Sequence, residues 1–246
     1  MKKSQISIFV IIGLVILIVA VFLIIKINQD RLNQIKLQSE TENPKLQPLI
    51  RYINDCLESK TKEALIKLGE QGLIYPDTYL ASKNTKIAYF YFKGKNYFPK
   101  KEVIEKEVSY YVLENMKSCT GDFSKIGFAV DDSYEKMKST IFFDEKKANI
   151  SLIYPMKILL GEEEVYLEKF SIEVKINFNG IYNAAEKIYK ETEENTETIN
   201  LDFLKDLPFE IRLIKIDKNT LVYEITDSKY GLENKPYKYR FAVKYE

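Results

Sequence analysis

The sequence predicts an α+β protein, with an N-terminal transmembrane helix, a helical segment, and a head of mostly antiparallel β-sheet with short helices. Three observations predict this class. The stretch Ile6–Ile25 contains no charged residue. Two segments between residues 49 and 119 carry apolar residues at the spacing of an amphipathic helix. After Gly121 the apolar residues occur in short β-branched and aromatic runs, which are typical of strands.

The first element is a membrane anchor. At about 1.5 Å per residue, the stretch Ile6–Ile25 would span roughly 30 Å of hydrocarbon. A cleaved secretory signal has a shorter apolar core that is followed by small residues, whereas Lys26 follows directly here. The sequence therefore predicts that residues 1–27 form a retained anchor helix with a short cytoplasmic end.

Residues 28–48 are predicted to be an extension of this helix followed by a hinge. Neither Gly nor Pro occurs between Gly13 and Pro44, so the residue chemistry lets the helix continue to about Gln38. The polar stretch from Ser39 onwards contains two prolines and is typical of a hinge. Gly13 and Ala20 are small enough for close helix packing in lipid, which predicts a homo-oligomer. An exposed stalk is the alternative.

Residues 49–123 are predicted to be a helical subdomain with a β-hairpin. The first helix covers Leu49–Leu68 and ends at Gly69 and Gly72. The hairpin strands cover Lys86–Phe92 and Tyr97–Phe98. The second helix covers Lys101–Cys119, after Pro99.

Residues 124–246 are predicted to be a β-rich domain. The alternation of apolar and polar residues indicates strands, and two segments have the helical period instead. The predicted strands are Thr140–Phe143, Asn149–Leu160, Glu164–Phe178, Phe209–Ile216, Leu221–Thr226 and Tyr237–Tyr245, and the short helices are Ala184–Glu194 and Leu201–Leu207.

The two cysteines bear on compartment and topology. Cys56 and Cys119 each fall on the apolar stripe of a predicted helix, so both sulfur atoms are expected to point into the same interior. We predict a disulfide; two unpaired buried thiols are the alternative. Since disulfides persist outside the reducing cytosol, the prediction places the N-terminus in the cytoplasm and the C-terminal domain outside the cell membrane. Basic residues flank the anchor on both sides and do not decide the orientation.

Composition argues against several function classes. The sequence contains no histidine, which removes the commonest general base and the commonest zinc ligand and favours a non-enzyme. The 37 basic and 36 acidic residues nearly cancel, so no nucleic-acid partner is expected. No catalytic, cofactor-binding or metal-binding residue is predicted, and Glu162–Glu164 is interpreted as a solvated turn. An anchored enzyme without histidine is the least favoured hypothesis.

Two further motifs allow more than one interpretation. The aromatic block Tyr89–Phe92 with Tyr97 and Phe98 could form a stacking platform for sugars or single strands. We favour a hairpin that places one set of rings in the core and the other on the surface. Asn149 begins an Asn-Ile-Ser sequon, a glycosylation site if this part of the chain is outside the cell.

The N-terminal residues KKSQISIFV at positions 2–10 resemble the class III signal peptide of archaeal type IV prepilins. In that family, basic residues precede a small residue, then Gln-x-Ser and a long apolar helix; Phe9 stands where the family usually carries Glu. The resemblance implies that a prepilin peptidase cleaves between Ser4 and Gln5. Residues 52–57 and 69–72 are also similar to segments of uncharacterised N-terminally anchored proteins of small archaea.

Together these features predict a membrane-anchored, extracytoplasmic, pilin-like structural or adhesive surface subunit. Its partners would be the membrane, further copies bound through the N-terminal helix, and the prepilin peptidase. The alternative is a single-pass surface protein that binds a protein or a glycan without forming filaments.

Overall fold

A computed structural model describes residues 43–82, 85–195 and 198–245. The predicted anchor helix, the Ser4–Gln5 cleavage position, and Gly13 and Ala20 lie outside these residues. Among the residues that are described, no helix combines the length and apolar character needed to cross a membrane.

The described residues form an α+β fold in which helices and two mostly antiparallel sheets alternate along the chain. The helices are α1 (Gln47–Gln71), α2 (Lys101–Thr120), α3 (Phe178–Glu194) and α4 (Leu201–Lys205), with 3₁₀ turns at Phe123–Ile126 and Tyr134–Lys136. The strands are β1 (Tyr79–Ser82), β2 (Thr85–Phe92), β3 (Lys95–Asn96), β4 (Ala129–Asp132), β5 (Lys138–Phe143), β6 (Lys147–Leu160), β7 (Glu163–Lys175), β8 (Glu210–Lys215), β9 (Thr220–Leu232) and β10 (Lys235–Lys244).

A four-stranded sheet is organised around the long strand β6. Strand β7 pairs with one edge of β6, while β4 and β5 pair with successive parts of its other edge, all antiparallel. Alternate residues of β6, from Ala148 to Ile158, are buried, and the residues between them are more exposed. This sheet therefore has one core face and one solvated face.

A six-stranded sheet has the order β1-β2-β10-β9-β8, and β3 pairs with β2. Strand β2 pairs with β10 in parallel, and the other neighbours are antiparallel. Because β2 comes from the predicted helical subdomain and β10 from the predicted β-rich domain, the two segments share one sheet. One hydrophobic cluster also includes residues of both segments.

Helix α1 lies at the centre of the molecule, in contact with α2, with β2 and β10 of one sheet, and with β7 of the other. Its close approach to β10 requires glycine, because a Cβ atom on Gly69 would lie 2.2 Å from the Lys238 carbonyl oxygen. The Tyr237 and Tyr239 hydroxyls donate hydrogen bonds to the carbonyl oxygens of Leu65 (2.9 Å) and Gly72 (2.8 Å), which fixes α1 against the strand.

Several predicted boundaries are wrong for local reasons. Helix α1 passes through Gly69, since that glycine packs on β10, and ends where Gly72 adopts a φ of 77°. The strand predicted to reach Phe178 ends at Lys175, because the Asn177 side chain accepts a hydrogen bond from the Gly180 N–H and caps α3. In the hairpin the second strand is β3 rather than Tyr97–Phe98.

The aromatic block also departs from the prediction. Phe90 is fully buried in the main core, where its ring stacks on Phe241 at 4.6 Å. Tyr89 faces the other side of the sheet and is nonetheless only 6% exposed, in a second cluster with Val222 and Ala242. Within β2, rings on both faces of the strand are thus buried, where the prediction left one set on the surface, while Tyr97 after β3 is 39% exposed.

Candidate functional site

The predicted disulfide between Cys56 and Cys119 is confirmed. Their Cα atoms are 6.0 Å apart, within the range that disulfides adopt. The bond joins α1 to the last turn of α2, and the Tyr52 hydroxyl donates a hydrogen bond to the Cys119 carbonyl oxygen beside it. The closed loop has a sequence separation of 63, for which the chain-entropy model gives a stabilisation of about 4 kcal/mol.

Asn149 lies in β6, the middle strand of the four-stranded sheet, opposite Phe142 of β5 and Glu173 of β7. Its side chain is half-buried. A glycan on Asn149 would therefore lie across the solvated face of this sheet. The acidic residues Glu162–Glu164 form the β6–β7 turn region, where Glu164 pairs with Lys157 at 2.6 Å. Among the described residues, no three His, Cys, Asp or Glu side chains cluster as they would in a metal site.

Two clefts of similar size include residues from the second half of β9 in their walls. One, of about 400 Å³, lies between α1 and the β9–β10 hairpin, and includes Ile66 and Tyr237 in its wall. The other, of about 430 Å³, lies at the start of α3 and includes Asp227. The Asp227 carboxylate already accepts hydrogen bonds from the backbone N–H groups of Lys229 and Tyr230 and from the Asn177 side chain. Asp227 thus has a structural role in that cleft.

The most distinctive surface is a group of side chains from α1, α2 and the segment between α1 and β1, which we call the tyrosine patch. Its two exposed rings are Tyr75, 41% exposed, and Tyr110, 54% exposed. Tyr110 lies off the inward stripe of α2, whose buried residues include Val108 and Val112, so its ring points to solvent. The patch consists of Lys67, Tyr75, Tyr110, Tyr111 and Glu114.

The side chains of the tyrosine patch hold each other in place. The Tyr75 and Tyr110 rings meet edge to face, with centroids 5.7 Å apart and planes inclined at 66°. The Lys67 amine lies 5.3 Å from the Tyr75 ring centroid and 5.1 Å from that of Tyr111. The Tyr75 hydroxyl donates a 2.9 Å hydrogen bond to Glu114 Oε2. The rings therefore form a preorganised corner on the surface.

Glu107 of α2 fixes the backbone beneath the patch. Its Oε2 atom accepts hydrogen bonds from the backbone N–H groups of Ile74, at 2.8 Å, and Tyr75, at 3.4 Å. Burial raises the pKa of the Glu107 carboxyl, although these two hydrogen bonds oppose the rise. The Ile74 side chain is itself buried in the core, so the backbone that leads into Tyr75 is held by both the core and Glu107.

The hydroxyls of Tyr75 and Tyr110 remain protonated at physiological pH, because the pKa of each is raised above its ordinary value. Partial burial and the hydrogen bond to Glu114 raise the pKa of Tyr75. The neighbouring Glu114 carboxylate, through a hydrogen bond and its negative charge, raises the pKa of Tyr110. Because both hydroxyls donate to Glu114, the patch offers two phenolic oxygens as acceptors, a carboxylate acceptor, an ammonium group and exposed aromatic rings within one small area.

The sequence analysis did not predict this patch. It considered an aromatic binding surface only in the block at residues 89–98, and favoured a hairpin there. A usable signal was present, because Tyr110 and Tyr111 are adjacent on a predicted helix and point about 100° apart, so one of them had to leave the apolar stripe. The partner Tyr75 follows Gly72 in a segment without periodicity, so only the fold brings it to Tyr110.

Comparison with known proteins identifies no relative of this chain. No protein family matches the chain, and no curated protein or solved structure is significantly similar to it.

Proposed function

We propose that the chain is a membrane-anchored, extracytoplasmic, pilin-like surface subunit. The disulfide between Cys56 and Cys119 carries this proposal. It lies in the head that follows the uncharged stretch Ile6–Ile25, and disulfides of this kind persist on the oxidising side of a cell membrane. A single anchor helix with the disulfide-linked head outside requires the N-terminus to be cytoplasmic.

The N-terminal sequence supports the pilin-like part of the proposal. Lys2, Lys3, Gln5 and Ser7 match the archaeal prepilin pattern, and a prepilin peptidase would cleave after Ser4. The anchor helices would associate by close packing at Gly13 and Ala20, because lipid gives no hydrophobic reward for burying leucine-like surface. The head would then project from the assembled helices in a structural or adhesive role.

Electron microscopy of native material tests this proposal with the Gly13→Leu variant. Filaments or defined oligomers are expected for the parent and for the control variant Gly13→Ala, which keeps a small residue in the packing surface. Gly13→Leu should lose them while its head retains the disulfide. Parent material that contains only monomers, or Gly13→Leu material that assembles like the parent, contradicts assembly through this helix.

Terminal mass spectrometry tests the processing step separately. A mature N-terminus at Gln5 is expected, and the variant Ser4→Trp should block cleavage because the prepilin pattern has a small residue at this position. A retained Met1 in the mature parent protein contradicts processing by a prepilin peptidase.

A second candidate is a single-pass surface protein that binds a protein or a glycan and forms no filaments. The tyrosine patch favours this alternative, since exposed and rigidly held aromatic rings are typical of recognition surfaces. In both candidates the head is a non-catalytic module, in keeping with a sequence that contains no histidine. Monomeric native material that attaches to cells or matrix through the head would select this candidate.

A further inference from the structure

We propose that the tyrosine patch is a binding subsite for a neutral saccharide, in which a pyranose ring stacks on Tyr110 and its hydroxyls bond to the surrounding polar groups. This inference concerns the head alone and holds whether or not the chain assembles into filaments. Its basis is the combination of an exposed ring, a second ring fixed at an angle to it, and carboxylates that outnumber the one ammonium group when Glu107 beneath the patch is included.

The Tyr110 ring supplies the stacking surface. It is the more exposed of the two rings, at 54%, and its hydroxyl side lies beside Glu114. The C–H face of a pyranose is apolar and can cover an aromatic face, while its ring hydroxyls project sideways. Tyr75 stands at 66° to Tyr110, so a sugar on Tyr110 would also meet the second ring. Such a corner restricts the orientation of the sugar.

The polar groups around the ring match saccharide hydroxyls, which both donate and accept hydrogen bonds. Glu114 is an acceptor-only group when ionised, and its Oε2 atom already receives the Tyr75 hydroxyl. Lys67 is a donor-only group held between the rings of Tyr75 and Tyr111. These side chains are already ordered in the free head, so binding would lose little side-chain entropy.

The charges of the patch favour a neutral ligand over an anionic one. Glu114 belongs to the patch and Glu107 lies beneath it, which gives two carboxylates, and Asp77 lies close enough to affect the pKa of Glu107. Lys67 is the single cation of the patch, and its ammonium group is already engaged with two rings. Phosphate or sulfate groups would be repelled, which argues against nucleic acid, acidic lipid and sulfated glycans.

The size of the patch favours a small ligand over a folded protein. A stable protein–protein interface buries about 800 Å² on each partner. An aromatic side chain buries about 150–250 Å² when it is fully covered. Because Tyr75 is 41% exposed and Tyr110 is 54% exposed, the two rings together could bury only about 140–240 Å² more, roughly a quarter of that area. One or two sugar residues match the space that the corner offers.

The test uses the full-length protein in nanodiscs and three neutral probes: cellotetraose, mannotetraose and tetra-N-acetylchitotetraose. Saturation-transfer NMR should detect binding of at least one probe. The variant Tyr110→Ala should weaken that binding at least 10-fold, equivalent to about 1.4 kcal/mol. Tyr110→Phe, which keeps the ring, should stay within about 3-fold of the parent because stacking supplies most of the affinity.

The matched control is Tyr166→Ala, because Tyr166 of β7 is 55% exposed and lies outside the patch. This variant should bind the probe like the parent. Three results would overturn the inference: none of the three probes binds, Tyr110→Ala binds as well as the parent, or only heparin or tryptic casein peptides bind at the patch. Filament imaging of Tyr110→Ala keeps this test separate from the proposed function, since assembly through the anchor helix should not depend on Tyr110.

Discussion

The two sheets bury their residues in different ways. In β6 of the four-stranded sheet, buried and more exposed residues alternate over most of the strand. In β9 of the six-stranded sheet, eight consecutive residues from Thr220 to Asp227 are buried. The inner side of β9 faces the main core, with Tyr223 and Ile225, and the outer side belongs to the second cluster through Val222. Alternation of buried and exposed residues along a strand thus indicates a sheet with a single core face.

The outer side of β9 also contains a buried carboxylate. Glu224 is 2% exposed, and it pairs with Lys238 at 3.0 Å and with the Arg240 guanidinium. Arg240 and Arg212 are its cross-strand neighbours on β10 and β8. The aliphatic stems of such long cations can cover apolar surface while their charged ends stay in contact with water. Charged residues therefore help to cover a face whose hydrophobic cluster includes no residue of the described helices.

The largest expected loss of stability comes from truncating a buried aromatic residue of the six-stranded sheet. Phe241 of β10 is fully buried and stacks on both Phe90, at 4.6 Å, and Tyr223, at 5.3 Å. Phe241→Ala should lower the free energy of unfolding by about 3–5 kcal/mol, because it leaves a cavity and removes two ring contacts.

The matched control is Phe142→Ala in β5, since Phe142 is 57% exposed. It should cost less than about 1 kcal/mol, mostly through its contact with the Lys101 ammonium. Urea unfolding followed by circular dichroism measures both variants. If the two variants lose similar amounts of unfolding free energy, the difference in burial between Phe241 and Phe142 has no energetic consequence.

A smaller effect is expected where α1 lies on the six-stranded sheet. Gly69→Ala gains helix propensity, yet its Cβ atom would lie 2.2 Å from the Lys238 carbonyl oxygen and would push α1 away from β10. We expect a net loss of about 1–2 kcal/mol.

Gly121→Ala serves as the control at the end of α2, which packs near the four-stranded sheet. The φ of Gly121 is −74°, and a Cβ atom there would meet its nearest neighbour at 3.1 Å, so the loss should stay near 0.5 kcal/mol. Thermal unfolding of the two variants measures whether Gly69→Ala destabilises the protein more than Gly121→Ala does. A stabilising Gly69→Ala would show that the helix can move off β10 without cost.

The smallest expected effect depends on pH. Burial opposes ionisation of Glu224, but the hydrogen bonds and positive charges of Lys238 and Arg240 outweigh it, so the pKa of Glu224 is lowered from 4.5. Ionised Glu224 therefore stabilises the fold fully above pH 4.5, and this contribution is lost as the pH falls through the lower folded-state pKa. Glu224→Gln should cost about 1 kcal/mol at pH 7 and progressively less below pH 4.5.

Glu164→Gln is the corresponding control in the four-stranded sheet. The hydrogen bond from Lys157 lowers the pKa of Glu164 as well, but this pair is exposed to solvent. Its removal should leave the unfolding curve unchanged between pH 3 and pH 7. If both variants show the same pH profile, the burial of Glu224 has no energetic consequence.

The long strand of the one-sided sheet was easy to predict from sequence, whereas the short strand β4 of the same sheet was not predicted. Strand β6 and helix α2 were predicted almost to their ends, because each has a single buried face. In β6 this face produces alternating apolar residues, and in α2 it produces an apolar stripe that includes Met116. The prediction ended strand β9 too early, at Thr226. Its buried residues are consecutive and are followed by Ser228 and Lys229, so the sequence shows no alternation that would extend the strand. The register shift between Pro236 and Tyr237 accommodates those extra residues in the ladder.

Contacts between distant segments could not be predicted. The parallel pairing of β2 with β10 depends on the path of the whole chain between them, and no local pattern encodes it. The disulfide could be predicted because both cysteines lie on legible helix stripes, whereas the contact of Tyr75 with Tyr110 requires the fold itself. Side chains that face the core leave a periodic trace in the sequence, and side chains that meet on the surface leave none.

The disulfide also determines how the head would respond to mechanical tension. A pull on the chain at Asn43 enters α1 and reaches Cys56 within that helix. From there the bond to Cys119 carries the load directly into the end of α2, and the chain between the two cysteines cannot be drawn out even if its local structure opens. The whole tyrosine patch lies within that closed loop. Tyr110 is therefore connected to Asn43 by a short covalent route through Cys119 and Cys56. Tension on a ligand bound at Tyr110 could distort the patch, but it could not lengthen this connection by the full contour of the loop.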